Sequence, residues 1–342
     1  MVGHGSTEFL VLSAKEAADQ RFIYYLVRSP DFREYAIQHM EGTSGCQRVS
    51  ADSIGAYRFF CPPPPQRTEI GEILGVLDDK ISLLRQSNDI LESIAQALFK
   101  SWFIDFDPVR AKAEGREPEG MDAATATLFP AEFEGSALGS IPKGWRVQSL
   151  DSFMTFLNGV ALQKFPAESE SEVLPVVKIA QLRAGTTVGA NRASTRLKPE
   201  HAVRDGDVLF SWSGSLEVEF WCSGRGALDQ HLFTVTSETV PKWFCYLATR
   251  HFLPGFREIA AHQATTMGHI QRKHLTEEKL ALPPASIICQ LGSAIDPLLE
   301  RRVTNSLQAQ ELASVRDTLL PRLISGKLRL PGAREQLEDA LA

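Results

Sequence analysis

The sequence carries few of the features that would assign it a chemistry of its own. It has no G-x-x-x-x-G-K-[ST] phosphate loop; Ser325-Gly326-Lys327-Leu328 lacks both the leading glycine and the hydroxyl residue. It has no G-x-G-x-x-G loop after a strand pattern and no Asn-Pro-Pro-aromatic tetrad of the amino-methyltransferase kind. The histidines show neither HExxH nor i, i+4 spacing, so neither a metal site nor a catalytic residue is expected. Pro30-Asp31 with Glu277-Glu278-Lys279 imitates a nuclease carboxylate cluster, but the two stand near opposite ends of the chain and are of common composition. Cysteine is sparse. Cys46, Cys61, Cys222, Cys245 and Cys289 are scattered, odd in number and free of CxxC spacing, which points to reduced thiols in a cytoplasmic protein rather than to disulfides or zinc. No apolar run approaches the length of a membrane span, and no basic, apolar leader opens the chain. A basic surplus is missing too. The net charge of −6 argues against a protein that grips nucleic acid unaided by a broad basic surface, but leaves room for a reader whose partners neutralise most of the phosphates.

What is present is a repeat. Residues 22–103 and 244–323 follow one plan: an aromatic-rich helix, a Gly/Thr turn with Gln-Arg, a short strand ending in Pro-Pro, then a long helix. The first copy reads Phe22-Ile23-Tyr24-Tyr25-Leu26, Gly42-Thr43-Ser44-Gly45-Cys46-Gln47-Arg48 and Phe59-Phe60-Cys61-Pro62-Pro63. The second reads Phe244-Cys245-Tyr246-Leu247, Thr265-Thr266-Met267-Gly268-His269-Ile270-Gln271-Arg272 and Leu280-Ala281-Leu282-Pro283-Pro284. Two copies predict a pseudo-twofold molecule, suited to a target with two half-sites.

Residues 1–65 read as part of an α/β unit, with Gly5–Leu12 as a weak strand and a helix over 20–40; four prolines, Pro62–Pro65, stop it. Beyond them Leu77, Ile81, Leu84, Asn88, Leu91, Ala95, Leu98 and Trp102 recur at steps of four and three, a heptad seam extended backwards by Ile70 and Leu74. From Ile70 to Trp102 such a helix spans roughly 50 Å at about 1.5 Å per residue. Asn88 on the seam costs stability and is of the kind that fixes register or partner orientation. Residues 107–143, rich in Ala, Glu, Gly and Pro, read as a linker or arm. Residues 144–284 form a complete globular domain: Val173–Ile179 is strand-like, and Arg204-Asp205-Gly206-Asp207 is a tight turn feeding a buried strand that ends in Ser211-Trp212-Ser213-Gly214-Ser215. From 285 to 330 the chain is helical again, with Leu291, Ile295, Leu298, Leu312, Leu319 and Leu323 near one stripe. Arg302 and Arg316 interrupt that stripe, and Pro321 is placed to end or kink the helix. Residues 331–342 read as a tail. Two long helices at equivalent places of a repeat should bury their seams against each other as an antiparallel pair.

The positive functional signals are polar turns carried by rigid elements. Thr265, Thr266, His269, Gln271, Arg272 and Lys273 lie behind a glycine; Gln and Arg can pair with base edges, while Lys and Thr suit phosphates. A solvated loop explains the same residues equally well, and only the echo at Thr43, Ser44, Gln47 and Arg48 favours function. Ser211 and Ser213 end a strand beside a tryptophan, and Gln230 and His231 follow Asp229. The second pair could cap a strand at a binding face, or His231 could be a hydrogen-bonded core histidine.

At this point the arrangement resembles a known family, the specificity subunit of bacterial Type I restriction–modification systems. Ile94-Ala95-Gln96-Ala97-Leu98-Phe99-Lys100-Ser101-Trp102-Phe103-Ile104-Asp105-Phe106-Asp107-Pro108 looks like the end of the family's central helical spacer (66–106). Gly144-Trp145, Gly206-Asp207-Val208-Leu209-Phe210-Ser211 and Gln230-His231-Leu232-Phe233 look like a target-recognition domain. Arg316-Asp317-Thr318-Leu319-Leu320-Pro321-Arg322-Leu323-Ile324-Ser325-Gly326-Lys327-Leu328 resembles the terminal helix. The resemblance implies an α+β fold, with mixed α/β recognition domains held apart by a long antiparallel two-helix coiled coil and related by a pseudo-twofold repeat. It implies a cytoplasmic, non-catalytic subunit that reads double-stranded DNA and docks methyltransferase subunits. Those would supply S-adenosylmethionine chemistry, and a separate motor–nuclease subunit would use ATP and Mg to cut. One departure stands out: residues 1–65 match only the distal part of a first recognition domain, with no Gly-Trp opening and no Gly-Asp-Val-Leu strand. The expectation is a first domain truncated, split or lost, and an exposed apolar edge in residues 1–60. The alternative is a coiled-coil remnant that binds methyltransferase subunits without a working DNA site.

Overall fold

The structure, a computed structural model, describes residues 9–43, 47–167, 171–262 and 268–341. Its elements begin with α1 (Gln20–Arg28), α2 (Pro30–Gln38), the short strands β1 (Met40–Glu41) and β2 (Arg48–Val49), α3 (Ala51–Gly55) and α4 (Pro64–Phe103). There follow α5 (Asp107–Ala113), α6 (Ala123–Thr127), β3 (Phe133–Ser136), β4 (Gly139–Pro142), β5 (Arg146–Ser149), α7 (Leu150–Phe153), β6 (Thr155–Asn158), β7 (Val173–Val177), α8 (Ile179–Ala184), β8 (Arg192–Ser194) and β9 (Ala202–Val203). Then come β10 (Val208–Ser211), β11 (Val218–Phe220), β12 (Gly226–Leu228), β13 (Leu232–Thr236), α9 (Lys242–His262), α10 (Arg272–Glu277), β14 (Lys279–Leu282), α11 (Ala285–Ile324) and α12 (Leu330–Leu341). They fall into two units, one of residues 1–86 with 308–342 and one of residues 87–307.

In the first unit, α2 starts where Ser29 caps it, its Oγ accepting from Phe32 N, with Pro30 in the first turn. Phe22, Tyr25 and Leu26 of α1 pack with Ile70, Leu74, Leu77, Ile81 and Leu84 of α4 and with Leu312, Leu319 and Leu323 of α11. α1 crosses α4 closely at Gly71, where a Cβ would stand 2.8 Å from Arg21 Cβ and 3.2 Å from the Phe22 amide. Asp78 ties three helices together, accepting from Tyr25 Oη at 2.8 Å and from Arg316 at 2.5 Å. Residues 331–341, expected as part of a tail over 331–342, belong to α12, which buries Ala333 in this core. α11 runs on past Pro321 to Ile324. The weak strand expected over Gly5–Leu12 does not form at residues 9–12, which are irregular; residues 1–8 lie outside the described part. Phe9, Val11, Tyr24, Ile37 and Phe60 are exposed, as the reading of an apolar edge anticipated.

In the second unit the helix segments run antiparallel. Asn88 donates to Ser306 Oγ at 2.9 Å and accepts from Asn305 Nδ2 at 3.0 Å, and one turn along α4 Glu92 meets Arg302 at 2.9 Å. The recognition-like domain is built from two sheets. β11-β10-β13-β6 is antiparallel, and β8-β7-β12-β9 contains the parallel pair β12–β7. β10 is fully buried, and the turn before it is as read: Gly206 takes φ 81° and the Arg204 amide bonds Asp207 Oδ2 at 2.8 Å. β5 pairs with β14, so the start and end of 146–282 are joined. Residues 107–143 are not a loose linker. They form α5, α6 and the β3–β4 hairpin and bury Val109, Phe129 and Ile141 in the main core, where Phe129 packs edge-on to Trp102. Apolar side chains spaced irregularly between glycines hid this from a periodicity reading.

Candidate nucleic-acid interface

The polar turns read separately in the sequence converge on one face of the second unit. The end of β10 and the segment before α10 are stitched together by backbone bonds: Gly214 N to Gly268 O at 2.8 Å and Ile270 N to Trp212 O at 2.9 Å, with Ser213 opposite His269. Trp212 also reaches the third turn and the end of β6. Its indole donates to Asn158 Oδ1 at 3.0 Å and to the Gln230 carbonyl at 3.2 Å. A mostly apolar hollow of about 300 Å³ results, lined by Asn158, Trp212, Phe233, His269, Ile270, Gln271 and Arg272.

Individual candidates fare differently. Gln271, Arg272 and Lys273 are exposed on this face. Arg272 is held in place, its guanidinium 5.4 Å over the Phe233 ring and bonded to the Phe156 carbonyl at 3.1 Å. Gln271 is the N-cap residue of α10, and its amide donates to His274 Nδ1 at 3.0 Å. His231 is half exposed and oriented by buried Asp229, whose Oδ1 takes both the His231 amide at 3.2 Å and Nδ1 at 2.9 Å. A carboxylate can only accept, so Nδ1 carries the proton and Nε2 is left as the acceptor nitrogen. Gln230 is half-buried, and its carbonyl holds Trp212.

Two expectations change. Ser211 is not a contact residue: it is fully buried, and its hydroxyl is spent on the Ser215 carbonyl and the Glu217 amide, both at 2.7 Å, where it holds the loop after β10 in shape. Ser213 is buried too, at 3% exposure. The echo of Gln271-Arg272 in Gln47-Arg48 is not a structural equivalence. With the Pro-Pro ends superposed in sequence, Ser50 stands where Gln271 does, and both are N-cap residues of one-turn helices, α3 and α10. Thr43, Gln47 and Arg48 are exposed in the first unit. Ser44, Thr265 and Thr266 lie outside the described residues. Sequence reasoning missed Asn158, whose partner Trp212 is remote in the chain. Among the described residues no group of three His, Cys, Asp or Glu side chains could hold a metal, and no helix is long and apolar enough to cross a membrane.

A mixed α/β domain presenting a stitched polar face, set between long helices that pair antiparallel, is the build of a recognition module on a helical spacer. Sequence comparison agrees. The chain is 26% identical to the Type I restriction enzyme HindI specificity subunit of Haemophilus influenzae, over 94% of this chain and 81% of that protein. It is 24% identical to the Type I restriction enzyme MjaIX specificity subunit of Methanocaldococcus jannaschii, over 92% of this chain and 71% of that one. It is also similar to the solved Type-I restriction-modification system S subunit from M. genitalium, with 15% identity, a TM-score of 0.49, and coverage of 90% and 72% of the two chains. No protein-family model matches the chain. Over nearly its whole length the chain is thus similar to specificity subunits of Type I restriction enzymes.

Proposed function

We propose that this chain reads one half of a bipartite sequence in double-stranded DNA and holds methyltransferase subunits on its spacer helices, without catalysing a reaction itself. The observation that carries the reading is the convergence of three separate turns on one face, with Gln271, Arg272 and Lys273 exposed beside the Trp212 hollow. Such a set offers paired donors and acceptors for base edges and a point charge for phosphate. S-adenosylmethionine would be brought by the methyltransferase subunits, and ATP with Mg by a motor–nuclease subunit. The net charge of −6 is consistent with partners neutralising most of the phosphates.

The test is co-expression with the neighbouring methyltransferase subunit and mapping of adenine methylation in host DNA. The expected result is a bipartite motif. Arg272→Ala should lower methylation and relax one base position, the loss of a contact of about 1–3 kcal/mol. Lys273→Ala should weaken DNA binding evenly across sequences and reduce the salt slope by about one. A stable complex that methylates nothing would favour the remnant reading instead.

A further inference from the structure

The second unit contains a network of four charged side chains that the recognition face does not use. Glu92 lies on α4, Arg302 on α11, Glu219 on β11 and Arg250 on α9. Glu92 is 8% exposed, and its two oxygens meet Arg250 Nε at 3.0 Å and Arg302 Nη2 at 2.9 Å. Glu219 is held the same way, by Arg302 Nη2 at 2.6 Å and Arg250 Nη1 at 3.4 Å. The four charges thus close a ring that alternates in sign. Two members come from the helix pair and two from the sheet-and-helix domain. Aromatic rings flank Arg302: Phe220 and Tyr246 stack on each other at 4.3 Å, with the guanidinium 5.9 and 5.6 Å from their centroids.

An apolar contact would join helices and domain just as firmly, since replacing a buried ion network by well-packed hydrophobic side chains is often neutral or stabilising. What charged pairs add is direction. Each hydrogen bond tolerates only a narrow angle, and each buried charge is costly if its partner turns away. Where a domain must present its reading face at one angle to a spacer, that property has a use.

We propose that the Glu92–Arg302–Glu219–Arg250 ring sets the angle at which the recognition domain leaves its spacer, and so fixes the number of unread base pairs between half-sites. The inference rests on the DNA-reading function proposed above. Its physical demand is clear. Adding one base pair to the gap moves a half-site by about 3.4 Å and turns it by roughly 35° about the DNA axis. A domain free to swing follows that turn; a domain held by four directed ion pairs does not. These residues position the reading face and touch no base.

The experiment uses the full chain with its methyltransferase subunits and reads the gap length in the methylated motif. The wild type should methylate one gap length. Arg302→Met, which leaves Glu92 and Glu219 short of a partner, should raise methylation at gaps longer or shorter by one base pair by about tenfold or more, an angular preference of about 1.4 kcal/mol lost. The base identities in the half-site should stay unchanged. If Arg302→Met does not fold, the variant with Glu92, Glu219, Arg250 and Arg302 all changed to Met replaces it, because it leaves no buried charge unpaired. Relaxed gaps in either folded variant support the proposal. Strict gaps, with methylation merely lowered, overturn it and leave the ring a stability element. A wild-type chain that yields no bipartite motif overturns the DNA-reading function itself, and the inference with it.

Discussion

Exchanging glycine for alanine at two helical positions of the second unit should move its stability in opposite directions. At Gly255 in α9 an added methyl meets nothing within 4 Å. Only the backbone effect remains, and alanine is favoured over glycine in a helix interior by about 1 kcal/mol. Gly292 in α11 would gain the same amount, but there the methyl would stand 2.8 Å from Trp243 Nε1. That is well inside the contact distance of about 3.5–4 Å for non-bonded heavy atoms. Trp243 is 1% exposed, with Phe103 and Phe244 at ring distances of 6.2 and 5.4 Å, so the indole has nowhere to step aside. Overpacking of this sort costs about 1–3 kcal/mol. Gly255→Ala should therefore lie above the wild type by up to about 1 kcal/mol, and Gly292→Ala below it by up to about 2 kcal/mol. Tryptophan emission during urea unfolding is the assay, because Trp102, Trp145, Trp212, Trp221 and Trp243 are the chain's five tryptophans and all lie within residues 87–307. Equal midpoints for the two variants would refute the claim that α11 is seated tightly on Trp243.

Two further outcomes are expected. Asn88→Ala removes the acceptor of Asn305, a residue 2% exposed, and should cost about 1–3 kcal/mol for an unsatisfied buried amide; a urea midpoint within error of the wild type would show that the seam repacks freely. Burial pushes the Cys222 thiol up to about 11 and that of Cys245 up to about 12, whereas an unfolded thiol ionises near 8.5. Above that value the unfolded chain sheds protons the folded chain keeps, so stability should be intact below about pH 8 and fall toward pH 11 by about 1.4 kcal/mol per pH unit and thiol. Urea titrations at pH 7, 9 and 10 check this against a Cys222→Ala/Cys245→Ala variant, and an identical pH slope in the two proteins would contradict it.

The first long helix was legible because Leu77, Ile81, Leu84, Leu91 and Leu98 repeat at a fixed period, and period is a local property. The second was harder. Arg302 and Arg316 break its stripe, and what makes them tolerable is remote in the chain: Asp78 for Arg316, Glu92 and Glu219 for Arg302. A charge on a seam is readable only once its partner is known. Asn88 was legible as a polar residue on the seam, but Asn305 and Ser306 as its partners were not. In the candidate site the residue types were legible and their division of labour was not. Ser211 and Arg272 both looked like contacts, yet one is sealed inside a loop and the other is held outward over Phe233. Burial of that kind depends on how loops from distant strands meet. The apparent Gln-Arg echo misled for a related reason, since identical pairs can sit three residues apart in the fold when the true equivalents, Ser50 and Gln271, differ in type.

The pairing of β5 with β14 carries a consequence for how such a chain can change. Lys279–Leu282 lies beside Arg146–Ser149, residue against residue, so the backbone enters and leaves the intervening stretch through one two-stranded gate. Whatever fills the space between needs only to start and finish at that gate. A cassette with a different set of loops could be substituted there without altering the course of the chain into α11. Inheritance of a new preference would then require one exchange of sequence rather than many coordinated point changes.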